Sequence, residues 1–356
     1  MFRTVTAPLS TADSTPVLIV PYMWIGDFVR CHTVVRMLRS RWPSRPIDVL
    51  TTSRCAPLLD YMPGVRKGIV WDLPRSRLAL RAQGKLADLL RAEKYGTALV
   101  MPRTWKSALA PYFARIPERI GFIGEGRFGL LNDWRWGERK LPRMVDRCAA
   151  LALPAGAARP PNWPEPELRV PATTVDAWRR RQELSGSLPV AALAPGAVGP
   201  SKRWQAASYV EVARELGRDG MAVWVLGGPD ERDLANQIVT EAGDHVRDLT
   251  GPDLRNAILA LAAADLAISN DSGLLHIAAA LGTPTIGIFG PTSPWHWAPL
   301  NPLAAVIETK IDLPCRPCHK PVCRVRHHRC MRDITAAEVL NAAHRVMAPL
   351  VPRTPA

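Results

Sequence analysis

The chain has 356 residues, is 47% apolar and carries a formal net charge of +14, from 46 Lys and Arg against 32 Asp and Glu. That length is too great for one average domain and predicts two, and the apolar content supplies each with a core, which excludes a disordered chain. No apolar run reaches the roughly 18 residues of a membrane-spanning helix, and Met1–Pro8 lacks the apolar centre of a signal peptide, so a soluble, cytoplasmic protein is expected. The basic excess points to an anionic partner, phosphorylated glycolipid or membrane surface, unless it is only the mark of an Arg-rich proteome; no nucleic-acid-binding motif accompanies it.

In chain order, Val17–Val20, Ile47–Leu50, Gly68–Trp71 and Thr97–Met101 read as buried parallel strands. Amphipathic segments separate them: Val34, Val35 and Leu38 share one helix face, and Leu86, Leu89 and Leu90 another. Residues 154–171 carry many prolines and no period, which predicts a linker between units at 14–165 and 172–350. The second half repeats the pattern with strands at Val190–Ala194, Ala222–Leu226, Leu266–Ser269 and Pro284–Phe289, and with a helix face of Tyr209, Val212, Ala213 and Leu216. A last helix over Ala336–Met347 can pack across the junction between the halves. Strand–helix alternation in two blocks predicts an α/β fold of two Rossmann-like, doubly wound domains with parallel sheets facing a central cleft.

Chemistry concentrates where strands run into helices. Asn270-Asp271-Ser272-Gly273-Leu274-Leu275-His276 follows a strand and opens a short apolar helix that ends at Gly282. Ser272 is a good N-cap type, Gly273 permits close approach, and the free N–H groups and dipole of such a helix suit a phosphate or pyrophosphate. Ala194–Trp204 follows the first strand of the second half with Gly196, Gly199, Ser201 and two adjacent cations; it is not a Walker A loop, but Lys202 can neutralise a phosphate while Arg203 reads as solvated charge. After the next strand, Gly227-Gly228-Pro229-Asp230-Glu231 offers carboxylates either to ribose hydroxyls or to the dipole of the following helix. In the first half, Asp27 lies beyond the first strand, at the ligand edge of a parallel sheet, where it is either a general base or a plain N-cap. Cys315, Cys318, Cys323 and Cys330, interspersed with His319, His327 and His328, suggest structural zinc ahead of disulfides, with irregular spacing; Cys31, Cys55 and Cys148 read as core thiols.

The segments Trp24–Asp27, Arg54–Pro63, Lys106–Leu109, Arg127–Asp133, Pro195–Ala197 with Lys202–Trp204, and Asn270–His276 stand in the order, and over nearly the whole length, in which the chain resembles the bacterial ADP-heptose:lipopolysaccharide heptosyltransferases of glycosyltransferase family 9. The resemblance implies a GT-B fold, with acceptor on the first domain and donor on the second. It also implies inverting transfer of L-glycero-D-manno-heptose from ADP-heptose to the first heptose of the lipopolysaccharide inner core, with no metal called for. Carried onto this sequence, it makes Asp27 the base for the acceptor hydroxyl and gives the diphosphate to Lys202 and the N–H groups at Ser272, Gly273 and Leu274. It gives donor-sugar hydroxyls to Asp271, support of the phosphate loop to His276, and the ribose to Asp230 or Glu231. Arg103, Lys106, Arg127 and Arg143 are candidate contacts for the anionic acceptor, heptosyl-Kdo2-lipid A, by charge and location alone, and the acceptor brings peripheral contact with the inner membrane. The cysteine cluster receives no role from the resemblance. Against it stand another lipopolysaccharide glycosyltransferase and a GT-B sugar epimerase, which needs more acid/base groups than Asp27. A two-lobed binding protein would want a signal peptide, and a dinucleotide oxidoreductase a G-x-G-x-x-G after the first strand.

Overall fold

The computed structural model describes residues 14–74, 78–141, 143–160, 162–184 and 186–348. The chain divides into two compact units after Pro166. The first runs β1 (Val17–Val20), α1 (Ile25–Arg41), β2 (Ile47–Thr51), α2 (Ala56–Leu59), β3 (Lys67–Val70), α3 (Leu80–Ala92), β4 (Thr97–Val100), α4 (Trp105–Phe113), β5 (Glu118–Phe122), β6 (Asp133–Arg135) and α5 (Met144–Leu151). Its six strands pair in parallel in the order β3-β2-β1-β4-β5-β6.

The second unit runs α6 (Ala172–Arg181), β7 (Val190–Ala194), α7 (Ala206–Arg218), β8 (Ala222–Val225), α8 (Arg232–Ala242), β9 (Val246–Asp248), α9 (Leu254–Ala263), β10 (Leu266–Asn270), α10 (Gly273–Leu281), β11 (Thr285–Phe289), α11 (Pro294–Trp297), β12 (Ala304–Glu308), α12 (Arg329–Arg332) and α13 (Ala336–Met347). Its parallel sheet is ordered β12-β11-β10-β7-β8-β9. Numbered within each unit, both sheets have the order 3-2-1-4-5-6 of a doubly wound Rossmann-like fold. The winding reverses beside the first and fourth strands, so ligands are expected at the loops after β1 and β4, and after β7 and β10.

The central strands β1, β2, β4, β7, β10 and β11 are buried along their whole length, because helices cover both faces of a parallel sheet. Gly68–Trp71 departs from its expected burial: β3 is an edge strand and most of it is exposed. On α3 the buried stripe is Gln83, Leu86, Ala87 and Leu90, and Leu89 lies beside it at 51% exposure. The face of Val34, Val35 and Leu38 on α1 and that of Tyr209, Val212, Ala213 and Leu216 on α7 are buried, as are Cys31, Cys55 and Cys148. Helix α13 starts at a capping box in which Thr335 and Glu338 bond each other's backbone N–H. It packs on α7, β11 and β12 with Val339, Ala342 and Ala343 buried. Among the described residues no helix is long and apolar enough to cross a membrane.

Candidate functional site

In the first unit the turn after β1 leads directly into α1, with Trp24 as N-cap residue and no side-chain cap. Asp27 is therefore neither in the loop nor the N-cap; it is the third residue of α1, in the first turn, where the helix dipole favours a carboxylate. Its Oδ1 accepts a bond from Arg30 Nη1 at 3.2 Å, and its side chain keeps 21% exposure against 4% for Arg30. The result is a carboxylate at the ligand edge, held by a buried guanidinium and partly exposed to solvent.

The four candidate acceptor cations separate in the structure. Arg127 is fully buried and donates to Pro102 O at 2.6 Å, to Ser107 Oγ at 3.1 Å and to Phe122 O. Burial pushes its pKa down to about 10. It is a strut that ties the loop after β5 to the loop after β4, with its guanidinium bonded within the unit. Arg143, the N-cap residue of α5, is turned onto Asp146, which it reaches at 2.9 Å. Arg103, half exposed, pairs with Glu138 at 2.7 Å. Lys106 lies in the first turn of α4, partly covered, and burial lowers its pKa.

In the second unit, the loop after β7 and the loop after β10 are adjacent at the reversal of winding. Lys202 closes a short 3-10 turn over Pro200–Lys202, and its Nζ donates to Asp271 Oδ2 at 2.6 Å. The Asp271 side chain is 8% exposed, and His276 Nε2 lies 3.9 Å from its other oxygen. Burial alone would raise the pKa of Asp271, but the His276 ring and the Lys202 charge outweigh it and hold the carboxyl well below the usual range. The ammonium is thus fixed beside the start of α10. There Ser272 occupies the N-cap position without bonding the helix backbone; its hydroxyl lies 3.1 Å from Ser269 Oγ. The N–H groups of the first turn, Gly273 and Leu274 included, have no side-chain cap, and Gly282 ends the helix at a φ of 80°.

Two further residues bind these loops together. Asn270, fully buried, donates to Pro195 O at 2.6 Å and accepts from Trp204 N at 3.2 Å and Tyr209 Oη at 3.1 Å. Sequence reasoning gave it no role, although an amide at a strand end beside a glycine-rich loop is the available signal. Glu231 turns back over the loop: its Oε2 accepts from Gly228 N at 2.9 Å, and Arg203 stands 3.8 Å from its Oε1. A Cβ built on Gly196 would lie 2.6 Å from Glu231 Cγ, so glycine is required there for the two loops to meet. Asp230, its neighbour, is exposed.

The cysteine-rich segment differs from its sequence reading. Among the described residues no three His, Cys, Asp or Glu side chains are grouped to hold a metal ion, and the four cysteines are free thiols. Cys315 Sγ approaches His327 Nε2 at 3.7 Å. The segment instead clasps the lysine loop: Ser201 N donates to Pro321 O at 3.1 Å, Ser201 Oγ bonds Lys320 O, and His328 Nε2 lies 2.7 Å from Ser201 O.

Comparison with known proteins places these loops in a family. Residues 83–328 match the model of glycosyltransferase family 9 (heptosyltransferase). Lipopolysaccharide heptosyltransferase 2 of Salmonella typhimurium is 34% identical over 346 residues, covering 93% of this chain and 98% of that one. The Escherichia coli protein of the same name is also 34% identical, over 345 residues, at the same coverage. The structure of E. coli ADP-heptose lps heptosyltransferase II superposes with a TM-score of 0.83 at 33% identity, covering 94% of this chain and 99% of that chain. With two Rossmann-like units of matching topology and a family match across both, this chain belongs to glycosyltransferase family 9, is an α/β enzyme of the GT-B class, and is a glycosyltransferase.

Proposed function

We propose that the enzyme transfers L-glycero-D-manno-heptose from ADP-heptose to the first heptose of the lipopolysaccharide inner core, with inversion, at the cytoplasmic face of the inner membrane. The observation that carries the reading is Lys202, held by Asp271 at 2.6 Å beside the uncapped start of α10, in a chain 34% identical over nearly its whole length to proteins named for this transfer. A cation and a helix N-terminus together suit a diphosphate, and both oppose the charge that grows on it as it leaves.

In this mechanism the acceptor hydroxyl oxygen bonds to the anomeric carbon of the donor, on the face opposite the diphosphate. The anomeric C–O bond breaks with its electron pair going to ADP, and Asp27 takes the hydroxyl proton. Lys202 and the N–H groups at Ser272, Gly273 and Leu274 hold the diphosphate. Asp271, nearly all of its surface covered, positions Lys202 and leaves the donor-sugar hydroxyls to other groups; His276 supports it from the next turn of α10. Glu231 takes the ribose in preference to Asp230, because its carboxylate turns toward the Gly196 loop. Arg103, Lys106 and Arg143, each at least partly exposed, are the cations for the acceptor phosphates.

The test is calorimetric titration with ADP, UDP and GDP without divalent metal, followed by transfer from ADP-heptose to heptosyl-Kdo2-lipid A. Selective ADP binding and acceptor-dependent ADP release are expected. Preference for UDP or GDP, or no transfer of heptose, overturns the reading.

A further inference from the structure

The first unit carries three aromatic rings that no core absorbs. Phe128, Trp134 and Trp136 are 56%, 38% and 67% exposed, yet each packs against the other two. Their centroids lie 5.4 Å apart for Phe128–Trp134, 5.8 Å for Trp134–Trp136 and 6.3 Å for Phe128–Trp136, the first two pairs edge to face. Trp134 stands on β6, an edge strand of its sheet, so among the described residues no further strand flanks it.

The platform beneath the rings is built. Arg127, next to Phe128, is the buried strut described above, Ile123 N donates to Arg135 O at 3.0 Å, and the Trp105 indole donates to Glu125 O at 3.0 Å. The rings are therefore held outward by a braced turn. The charge around them is positive: Asp133 is paired with Arg135 at 2.9 Å and Glu138 with Arg103 at 2.7 Å, while Arg139 and Lys140 stay exposed three and four residues beyond Trp136. Contiguous exposed apolar surface on a soluble domain marks an interaction site. Tryptophan and phenylalanine rings settle at the headgroup level of a bilayer, and exposed Arg and Lys beside them are drawn to anionic lipid.

We propose that Phe128, Trp134 and Trp136, with Arg139 and Lys140, form the surface by which the acceptor-binding unit docks on an anionic bilayer. This deepens the functional reading and rests on its membrane glycolipid acceptor. The rings enter the interface, the two cations face the lipid phosphates, and the loops after β4, β5 and β6 are brought to the headgroup layer where the acceptor sugars lie.

The experiment is co-sedimentation of the full chain with vesicles of phosphatidylethanolamine and phosphatidylglycerol, and with vesicles of phosphatidylcholine alone. It compares wild type, Phe128→Ser/Trp136→Ser, and Arg139→Gln/Lys140→Gln, with ADP binding as the check that each variant is folded. Wild type is expected to sediment with the anionic vesicles, with a blue shift of indole emission. The ring variant lowers partition about tenfold or more, as loss of two buried rings implies. The charge variant weakens binding to anionic vesicles alone, so it reports on the surface even if the ring variant misfolds. All three transfer heptose equally to a delipidated, water-soluble acceptor. Wild type that ignores both vesicles, or a folded ring variant that partitions like wild type, overturns the proposal. So does a wild-type dimer that the ring variant lacks, which would assign the rings to a second copy. Vesicle binding that depends on the rings, in a protein unable to transfer heptose to the soluble acceptor, would sink the functional reading and leave the docking surface standing.

Discussion

Replacing Lys202 by alanine separates the two tasks assigned to it. Asp271 is 8% exposed, and Lys202 Nζ lies 2.6 Å from its Oδ2; removing the ammonium leaves a buried carboxylate with the His276 ring 3.9 Å from its other oxygen. Breaking a fully buried pair costs roughly 3–5 kcal/mol; because the lysine side chain is 29% exposed, water screens part of that, and about 2–3 kcal/mol is expected. For a unit of this size that lowers the melting midpoint by about 4–12 °C. The assay is scanning calorimetry of Lys202→Ala, Asp271→Asn and the double variant. Since the loss comes from stranding a charge, the double variant should be more stable than the sum of the singles by at least about 1 kcal/mol. In parallel, ADP affinity of Lys202→Ala should fall about 10–100-fold, the range for a lost charge-assisted bond. An unchanged midpoint with additive singles would refute the buried pair. Unchanged ADP affinity would remove Lys202 from the diphosphate site.

Asp27→Asn is expected to cut kcat about a hundredfold or more while ADP binding stays intact, as for a lost general base; activity near wild type assigns that role elsewhere. Arg127→Met should cost about 2–4 kcal/mol in urea unfolding, since it strands buried carbonyls, whereas a raised acceptor KM at full stability would restore the acceptor role. Gly196→Ala puts a methyl 2.6 Å from Glu231 Cγ and should weaken ADP binding about tenfold in a folded protein; unaltered affinity would mean Glu231 does not face the nucleotide. The depressed pKa of Asp271 gives a pH dependence with a definite sign. Its stabilisation is complete above the unfolded carboxylate value near ~4 and is lost as pH falls through the lower folded value, so stability should drop from about pH 4 downward. The same profile on Asp271→Asn should be flatter in that window, and an identical slope contradicts the assignment.

Reading strands from apolar runs succeeded at the centres of both sheets and failed at their edges. β1, β4, β7 and β10 are buried on both faces, so their composition alone marks them. β6 and β9 have three residues each and include charged side chains, so they carry no period; only pairing with a neighbour makes them strands. The same split runs through the site. The glycines, Ser272 and the helix start they announce lie within a few residues of one another, and local backbone chemistry made that anion site legible.

The sequence by itself therefore determined the two doubly wound halves, the loops at their ligand edges and the residue types that meet a diphosphate. Those properties are local: periodicity, backbone freedom at glycine and the dipole of a single helix. Tertiary structure decided which charges are neutralised and which stay open. Lys202 and Asp271 are 69 positions apart and pair only because β7 and β10 are neighbours in the sheet. Arg127, equal to Arg103 as a surface cation in the sequence, is spent on carbonyls of the loop after β4 and the end of β5, and Phe128 beside it is left facing solvent. No local pattern records such pairings, because burial is a property of what the rest of the chain brings to the residue.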